Sequence, residues 1–322
     1  MRSVAIYVAF FASLLIPPFL TWQLWRTTSR SVLDFTLRFL LLAASLSLIA
    51  LAANWSLVGI WFMPLWITAF AVVFALRVLT ARRLTIVSID GLGSIAHVLP
   101  SVLGFGVIAT LVSSAVFTAP YVGEPVALRF PLAQEGGRGG GWYVGQGGRS
   151  ALVNAHANAP AQAYALDIHG LNALGMRAKG ILPAELGAYA IYVRPVYAPC
   201  AGELLSVADG IEERSPPDSS PGPPVGNHVS IACQGATVLL AHLQPGSVLV
   251  EAGQRVEVGE PIGVVGNSGN TTEPHLHIHA VDGRVVDLQE LIIDGTPRPL
   301  LFDGGFLHKH SSSVWPDWLR LL

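Results

Sequence analysis

The sequence predicts two parts of different class: an N-terminal all-α bundle of four transmembrane helices, and a C-terminal all-β domain folded as an antiparallel roll or sandwich. Of the 322 residues, 52% are hydrophobic and only 12% are charged, about half the charged fraction of soluble globular proteins. Long apolar stretches fill residues 1–119, and short β-branched runs separated by glycine and proline follow from Tyr121. This composition excludes a simple cytosolic enzyme, a disordered protein and a nucleic-acid binder that works through a strong basic field.

Each apolar stretch is long enough to cross a bilayer, which takes roughly 20 residues of helix. The four helices are expected at about residues 4–25, 35–53, 55–76 and 98–118. Pro17 and Pro18 lie inside the first stretch, and membrane helices tolerate proline. A cleaved signal peptide is less favoured, because Arg2 is the only basic residue before the apolar run and no clear A-x-A site precedes the prolines. Residues 1–119 are therefore expected to be a membrane anchor.

The arginines predict the orientation of the anchor, because Lys and Arg concentrate in cytoplasmic loops. Arg26 and Arg30 lie between the first two stretches, and Arg77, Arg82 and Arg83 lie between the last two. Both loops are expected on the cytoplasmic side. This places the N-terminus and everything after the fourth helix outside the cytoplasmic membrane, in a periplasmic or extracellular compartment.

The second part is expected to be one domain over residues 120–299, followed by a C-terminal tail over residues 300–322. Glycine-rich Glu135–Ser150 and Pro/Ser/Gly-rich Ser215–Pro224 predict loops. The tail contains Trp315 and Trp318. The β-branched runs predict strands at Val126–Leu132, Tyr189–Val196, His228–Cys233, Thr237–Leu243, Val248–Val250, Pro261–Val265, Leu276–Val281 and Val285–Leu288.

Both cysteines, Cys200 and Cys233, lie on or beside predicted strands of the exported part. An oxidising compartment permits a disulfide between them. Two buried free thiols are the alternative, and the Cα separation decides between the two.

The histidines carry the densest chemical signal. Nine of the ten follow residue 120, and three of them are His275, His277 and His279. Side chains alternate faces along a strand, so these imidazoles share one face, while Leu276 and Ile278 share the other. Imidazole is the commonest metal ligand, and the apolar residues between the histidines favour a packed strand over a solvated face. The pattern predicts a metal site.

A zinc site has four coordination positions, and a catalytic one keeps a position open, so further ligands are expected upstream. His156 and Asp167 are candidates, and Asp167 lies in an apolar strand, where an unpaired carboxylate is costly. His169 would share the face of Asp167. His242 ends another apolar strand, a position that alone is more typical of a core or edge histidine than of a catalytic one.

Several short motifs follow one another in a specific order. They are Asn154-x-His156, Tyr164-Ala-Leu-Asp167, Tyr197-Ala198-Pro199 with Gly202, Gly226-Asn227-His228-Val229, Ala241-His242-Leu243, Val250–Gly263 and Gly266–His277. In this order, the stretch from about Glu124 to Ile292 resembles the lysostaphin-type, or LytM-like, zinc metalloendopeptidases of bacterial cell-wall metabolism. The resemblance does not extend to the four-helix region.

The resemblance implies a fold like the duplicated hybrid motif and one Zn²⁺ per chain, bound by His156, Asp167 and His277. It also implies that His242 and His275 are the catalytic pair, which flanks the water and the substrate carbonyl. One would act as general base and the other would stabilise the oxyanion, in either order.

One spacing departs from the pattern of that family. Ten residues separate His156 from Asp167, against three in the commonest arrangement. An enlarged loop would account for the difference, and His169 is the alternative ligand. His279 is then either a neighbour of the metal ligands or a residue that faces the substrate.

Together, the resemblance and the predicted topology imply a membrane-anchored zinc metalloendopeptidase that hydrolyses peptidoglycan cross-links outside the cytoplasmic membrane. Its expected partners are a peptidoglycan peptide and the lipid bilayer, with no nucleic acid. The alternative is a non-catalytic cell-wall-binding or hydrolase-activating module of the same fold. A third hypothesis is the related β fold of sugar-phosphotransferase carrier domains, which work in the cytosol and would require the opposite topology.

Overall fold

The computed structural model describes residues 2–26, 28–81, 84–86, 92–116, 121–133, 141–216 and 222–314. This part of the chain divides into two compact units, with the boundary near residue 119. One covers residues 7–118 and holds the long helices apart from the first residues of α1, and the other, called the β unit below, holds the strands. The predicted class, apolar helices followed by a mostly antiparallel β domain, is confirmed.

The long helices are α1 (Arg2–Arg26), α2 (Val32–Ala52), α3 (Phe62–Ala81) and α4 (Leu92–Val116). Among the described residues, these four are long and apolar enough to cross a membrane. Pro17 and Pro18 lie inside α1, and Pro100 lies inside α4. The helices continue through these prolines, as membrane helices permit. Arg82 and Arg83 lie outside the described residues.

The third helix begins at Phe62, later in the chain than the predicted range of 55–76. Trp55–Leu57 form a 3₁₀ turn, and Gly59 follows with a φ of 101°. Glycine adopts a positive φ easily, and a positive φ is incompatible with a regular right-handed helix. Trp55 is buried, and its Nε1 donates a hydrogen bond to the Ala50 carbonyl at 3.0 Å. The apolar run therefore includes a folded turn, which hydrophobicity alone does not distinguish from helix.

The strands of the β unit are β1 (Val126–Leu128), β2 (Gly141–Gln146), β3 (Leu166–Leu171), β4 (Pro195–Tyr197), β5 (Gly202–Ala208), β6 (Asn227–Cys233), β7 (Ala236–Leu243), β8 (Arg255–Val256), β9 (Pro261–Val264), β10 (Leu276–Asp282), β11 (Pro297–Arg298), β12 (Leu300–Phe302) and β13 (Gly305–Phe306). The large sheet has the order β2-β3-β10-β7-β6-β5-β8, and β11 also pairs with β10. Its neighbouring strands are antiparallel. Two small sheets accompany it: β12 pairs in parallel with β1 and antiparallel with β13, and β4 pairs with β9.

Both faces of the large sheet carry buried apolar residues around β10. Leu276 and Ile278 belong to the main hydrophobic core on one face. Leu239 and Ala241 of β7 belong to a second cluster that also contains Leu291. Because His279 pairs with Leu239 and His277 pairs with Ala241, both histidines lie on the face of the second cluster.

Several strand predictions are wrong. Tyr189–Val196 is mostly turn, and neither Val248–Val250 nor Val285–Leu288 forms a strand. Val250 and Val285 are nevertheless buried, so these runs contribute to the core as loops. Their apolar character reflects burial and carries no information on backbone pairing.

The glycine-rich segment contains a strand that the sequence analysis predicts as loop. β2 lies inside Glu135–Ser150 and pairs with β3, with Tyr143 and Val144 fully buried. Pairing with a neighbouring strand therefore outweighs the low strand propensity of the glycines. Residues 134–140 lie outside the described part, as do residues 217–221 of the predicted loop Ser215–Pro224.

The predicted tail is in part a component of the β unit. β12 and β13 form a sheet with β1. Beyond them, the His310 N–H donates to the Val144 carbonyl at 3.0 Å, and the Val144 N–H donates to the Ser311 carbonyl at 2.9 Å. This segment therefore covers the outer strand β2, whose edge would otherwise be unpaired. Trp315 and Trp318 lie outside the described residues.

Cys200 and Cys233 are joined in a disulfide, with their Cα atoms 6.1 Å apart. This separation suits the bond. Both cysteines are buried, and they lie 33 positions apart in the sequence. The structure therefore contains the disulfide and not two buried free thiols.

We expect the double substitution Cys200→Ser with Cys233→Ser to lower the free energy of unfolding of the β unit by about 2–4 kcal/mol, because a disulfide restricts the unfolded chain. Pulse proteolysis of the full chain in detergent micelles over a urea series, read through a C-terminal tag, measures the change. A thiol reductant should shift the parent by a similar amount and leave the double variant unchanged. Detection of two free thiols in the parent after unfolding without a reductant would contradict the disulfide.

Candidate metal centre

Cross-strand pairs in the large sheet form the framework of the site. His277 on β10 lies opposite Asp167 on β3 and opposite Ala241 on β7. Residues paired across neighbouring strands point to the same face, so the side chains of Asp167 and His277 meet. His242 is the next residue along β7, and His275 immediately precedes β10. The register thus brings Asp167 and His277 together, and His242 joins them because the pairing of β7 with β6 is irregular at this residue.

Asp167 is the centre of this group. Its Oδ1 and Oδ2 atoms lie 3.1 and 3.0 Å from Nε2 of His156. Oδ1 also lies 3.0 Å from Nδ1 of His277 and 3.5 Å from Nε2 of His275. The ligand atoms of His156, Asp167 and His277 all lie within 4.8 Å of one another. These three residues could therefore hold a single metal ion.

His242 and His275 lie beside that group. The ring centroid of His242 is 4.8 Å from that of His275 and 5.9 Å from that of His277. His242 Nδ1 lies 2.9 Å from the Ser268 carbonyl oxygen, and His275 Nδ1 lies 2.8 Å from that of Glu273. A carbonyl oxygen only accepts, so Nδ1 carries the proton in both rings. In the neutral state, each ring therefore has a lone pair on Nε2.

His242 has a strained backbone, with a φ of 67°. This left-handed conformation costs a non-glycine residue about 1–3 kcal/mol, and such residues cluster at functional sites. The His242 N–H donates to the Val225 carbonyl at 3.0 Å, and its carbonyl accepts from the Gly266 N–H at 3.0 Å. These two bonds hold the histidine at the end of β7.

The ten-residue spacer between His156 and Asp167 forms two 3₁₀ turns, Ala155–Asn158 and Pro160–Gln162. Asn154, which is fully buried, precedes the first turn. Its Oδ1 accepts from the His156 N–H at 3.1 Å, and its Nδ2 donates to the Ala165 carbonyl at 3.1 Å. The Asn154 side chain thus joins the start of the spacer to its end. This closure returns His156 to Asp167 despite the enlarged loop.

His169, the alternative ligand, lies beside the ring of His275. Among the described residues, His169 belongs to neither of the groups that could hold a metal, which are His156 with Asp167 and His277, and His242 with His275 and His277. Its ring centroid lies 5.8 Å from that of His275. The geometry therefore favours His156 as the partner of Asp167.

Charge balance in the site depends on Asp167. Burial alone raises the pKa of this carboxyl, but the nearby His156 and His275 outweigh the effect and hold the pKa well below its usual range. Burial lowers the pKa of His156, and the charge and hydrogen bond of Asp167 more than reverse that shift, so the pKa is raised. The carboxylate is therefore ionised at neutral pH.

Burial keeps two of the surrounding imidazoles neutral. It lowers the pKa of His277 to about 4 and the pKa of His242 well below its ordinary value. These two rings therefore supply no positive charge to Asp167, and a carboxylate in the protein interior is costly unless positive charge lies close to it. The donor set of His156, Asp167 and His277, two imidazoles and one carboxylate, fits a metal cation, and catalytic zinc sites use it.

A buried ion pair supports the loop that carries His275. Arg177 is 2% exposed, and its Nε lies 2.8 Å from both carboxylate oxygens of Glu273. Its Nη2 lies 2.6 Å from Oε2 of Glu273 and donates to the Ile181 carbonyl at 3.0 Å. Since the Glu273 carbonyl accepts the hydrogen bond from His275, the pair holds that carbonyl in place. Glu273 is adjacent to the histidine motif, but Arg177 lies 96 residues away and carries no sequence signal.

The sequence pattern of Peptidase family M23 matches residues 188–288. Residues 188–288 are an M23 peptidase domain. This range contains His242, His275 and His277. His156 and Asp167 precede it, and the fold brings them to the M23 histidines through β3 and the spacer.

Three relatives show how far the similarity extends. Over 75 residues the chain is 39% identical to peptidoglycan DD-endopeptidase ShyA of Vibrio cholerae, which covers 23% of this chain and 15% of ShyA. A zinc-containing peptidase from Vibrio cholerae has 25% identity over 34% of this chain and 26% of that chain, with a TM-score of 0.24. The catalytic domain of lysostaphin from Staphylococcus simulans has 20% identity over 32% of this chain and 77% of that chain, with a TM-score of 0.21. The chain thus matches only a small part of ShyA.

Removal of Arg177 should destabilise the β unit, because the Glu273 carboxylate would stay buried without its counter-charge. We expect Arg177→Met to lower the free energy of unfolding by about 3–5 kcal/mol, measured by pulse proteolysis in urea. Arg284→Met is the matched control: its partner is Glu203, the two side chains are 55% and 33% exposed, and exposed pairs contribute little. Equal losses in the two variants would contradict the importance of burial.

Proposed function

We propose that this protein is a membrane-anchored zinc metalloendopeptidase that hydrolyses peptide bonds of peptidoglycan cross-links outside the cytoplasmic membrane. The observation that carries the proposal is that side chains from the M23 domain and from the segment before it meet at one site. His156, Asp167 and His277 form a candidate ligand set, and His242 and His275 lie beside it. The four apolar helices support attachment to a membrane.

His156, Asp167 and His277 are the proposed ligands of one Zn²⁺ per chain. A catalytic zinc site has three protein ligands and one open position. The side chains of His156, Asp167 and His277 are 25%, 13% and 4% exposed, which supports an open position on the His156 side. When bound, zinc supplies a Lewis acid that activates water and polarises the scissile carbonyl.

His242 and His275 are the proposed catalytic pair, and their hydrogen bonds suit them to proton transfer. The Nδ1–H of each ring is held by a backbone carbonyl, so the Nε2 atom can accept a proton from water. Once protonated, the same nitrogen becomes a donor. It can then stabilise a developing oxyanion or deliver the proton to the leaving amine. The arrangement supports either order of the two roles.

The proposed substrate rests on family membership and on ShyA, which is named as a peptidoglycan DD-endopeptidase. The proposed orientation rests on the arginines between α1 and α2 and between α3 and α4. The disulfide supports an oxidising compartment for the β unit. We therefore assign residues 1–119 to the anchor and residues 120–299 to the peptidase domain, with residues 300–322 as a C-terminal segment that contributes β12 and β13 to the β unit.

Zinc removal should abolish hydrolysis. We expect the full chain in detergent micelles to release peptide fragments from purified peptidoglycan, with the fragments identified by mass. The release should stop after zinc is chelated and resume when zinc is restored. Asp167→Ala and His277→Ala should lose both bound zinc and hydrolysis, because each removes a proposed ligand. Asp209→Ala, at an exposed aspartate of the same unit, is the matched control and should retain both.

His242→Ala and His275→Ala separate proton transfer from metal binding in the same assay. Each should lower the rate by about 10²–10⁴-fold, the usual contribution of general acid–base catalysis, while the zinc content stays unchanged. A parent chain that binds zinc but releases no fragments would favour the non-catalytic wall-binding alternative. Hydrolysis that survives in Asp167→Ala would overturn the proposed site.

The proposed orientation predicts that a protease added from outside reaches the β unit. In right-side-out membrane vesicles we expect a C-terminal tag to be removed without detergent. A tag inserted between α3 and α4 should be protected until the membrane is permeabilised, and it is the internal control. Protection of the C-terminal tag in sealed vesicles would reverse the orientation and favour the cytosolic carrier fold.

A further inference from the structure

His279 lies behind the proposed ligand His277 in a line of polar contacts. Its Nδ1 is 2.9 Å from Nε2 of His277, and its Nε2 is 2.9 Å from the Leu291 carbonyl oxygen. The other nitrogen of His277, Nδ1, lies 3.0 Å from Oδ1 of Asp167. His279 is 1% exposed, so its ring is enclosed by the protein and does not face the substrate.

The last member of the line sets the direction of its hydrogen bonds. A carbonyl oxygen only accepts, so Nε2 of His279 carries a proton. A ring this deeply buried is neutral, because an unpaired buried charge is costly, and a neutral imidazole has a single N–H. Nδ1 of His279 therefore accepts, and Nε2 of His277 donates.

This direction determines which nitrogen of His277 is available to a metal. With its proton on Nε2, His277 presents a lone pair on Nδ1 toward Asp167. A lone pair that faces a carboxylate oxygen at 3.0 Å is repelled, and a cation that both atoms could bind would remove the repulsion. We propose that His279 is a positioning residue that selects Nδ1 of His277 as the metal-binding atom and fixes the orientation of that ring. The inference rests on the proposed zinc site and adds to it a residue outside the ligand set.

The acceptor of His279 is held by the same segment that carries His156. Leu291 belongs to the π-helical turn Glu290–Asp294, and its N–H donates to the Asp287 carbonyl at 3.0 Å. The Gln162 side chain, in the spacer after His156, donates to the Ile292 carbonyl at 2.8 Å. The turn and the spacer are therefore connected, and the supports of two proposed ligands form one assembly.

A buried histidine on an apolar face can also be a simple packing residue, and two substitutions separate the roles. His279→Asn keeps an acceptor, because the asparagine Oδ1 takes the position of the imidazole Nδ1. His279→Leu occupies a similar volume without an acceptor. Since the surrounding cluster includes Leu239 and Leu291, a packing role predicts that leucine is the better replacement. A positioning role predicts that asparagine preserves zinc affinity and leucine does not.

Zinc affinity of the full chain in detergent micelles, measured by competition with a fluorescent zinc chelator, tests the proposal. We expect His279→Leu to bind zinc about 10–100-fold more weakly than the parent, the usual cost of losing the partner of a metal-ligating histidine. His279→Asn should stay close to the parent. His228→Leu is the matched control, because His228 is also buried on a strand of this sheet with both ring nitrogens in hydrogen bonds, and its affinity should not change.

Ring ¹⁵N NMR of the zinc-loaded parent gives a second measurement that does not depend on whether a variant folds. We expect the N–H of His277 and the N–H of His279 on their Nε2 atoms. A parent that binds no zinc would overturn the proposed function itself. Zinc binding of equal strength in the parent and His279→Leu, or an N–H on Nδ1 of His277, would overturn only the role of His279.

Discussion

A single buried carboxylate organises the β unit. Asp167 lies on an interior strand of the large sheet, where a negative charge is costly without positive charge beside it. His156 approaches it from the spacer, and His275 and His277 approach it from β10 and the residue just before it. The spacer, the loop before β10 and β10 itself therefore take positions that surround one charge. A divalent cation bound there would offset that charge, since the nitrogen and oxygen atoms already converge.

Strand register turns this electrostatic requirement into a fixed geometry. His277 pairs with Asp167 on one side and with Ala241 on the other. A slip of β10 by one residue would turn His277 into the main core and bring an apolar side chain to the carboxylate. Leu276 and Ile278 belong to that core in the observed register. The hydrophobic core and the polar site thus specify the same alignment, and neither can change without disturbing the other.

The sequence correctly predicts features that depend on local patterns along the chain. Alternation along β10 places His277 and His279 on one face, and the length of the apolar stretches predicts the four helices. Two features that the sequence analysis misses depend on contacts between distant segments. β2 becomes a strand because it pairs with β3, and Arg177 meets Glu273 across 96 residues. The return of His156 to Asp167, which the family resemblance implies, depends on such contacts too, because Asn154 closes the spacer through contacts at both ends.

The supports of the site lie on its interior side. His279 and Leu291 lie behind His277, and the Arg177–Glu273 pair holds the carbonyl that bonds His275. His156 is the most exposed of the candidate ligands. Strand pairing positions Asp167 and His277, whereas a closed loop positions His156. A longer spacer can therefore reshape the rim of the site, where a substrate would approach, without moving the two ligands on the sheet.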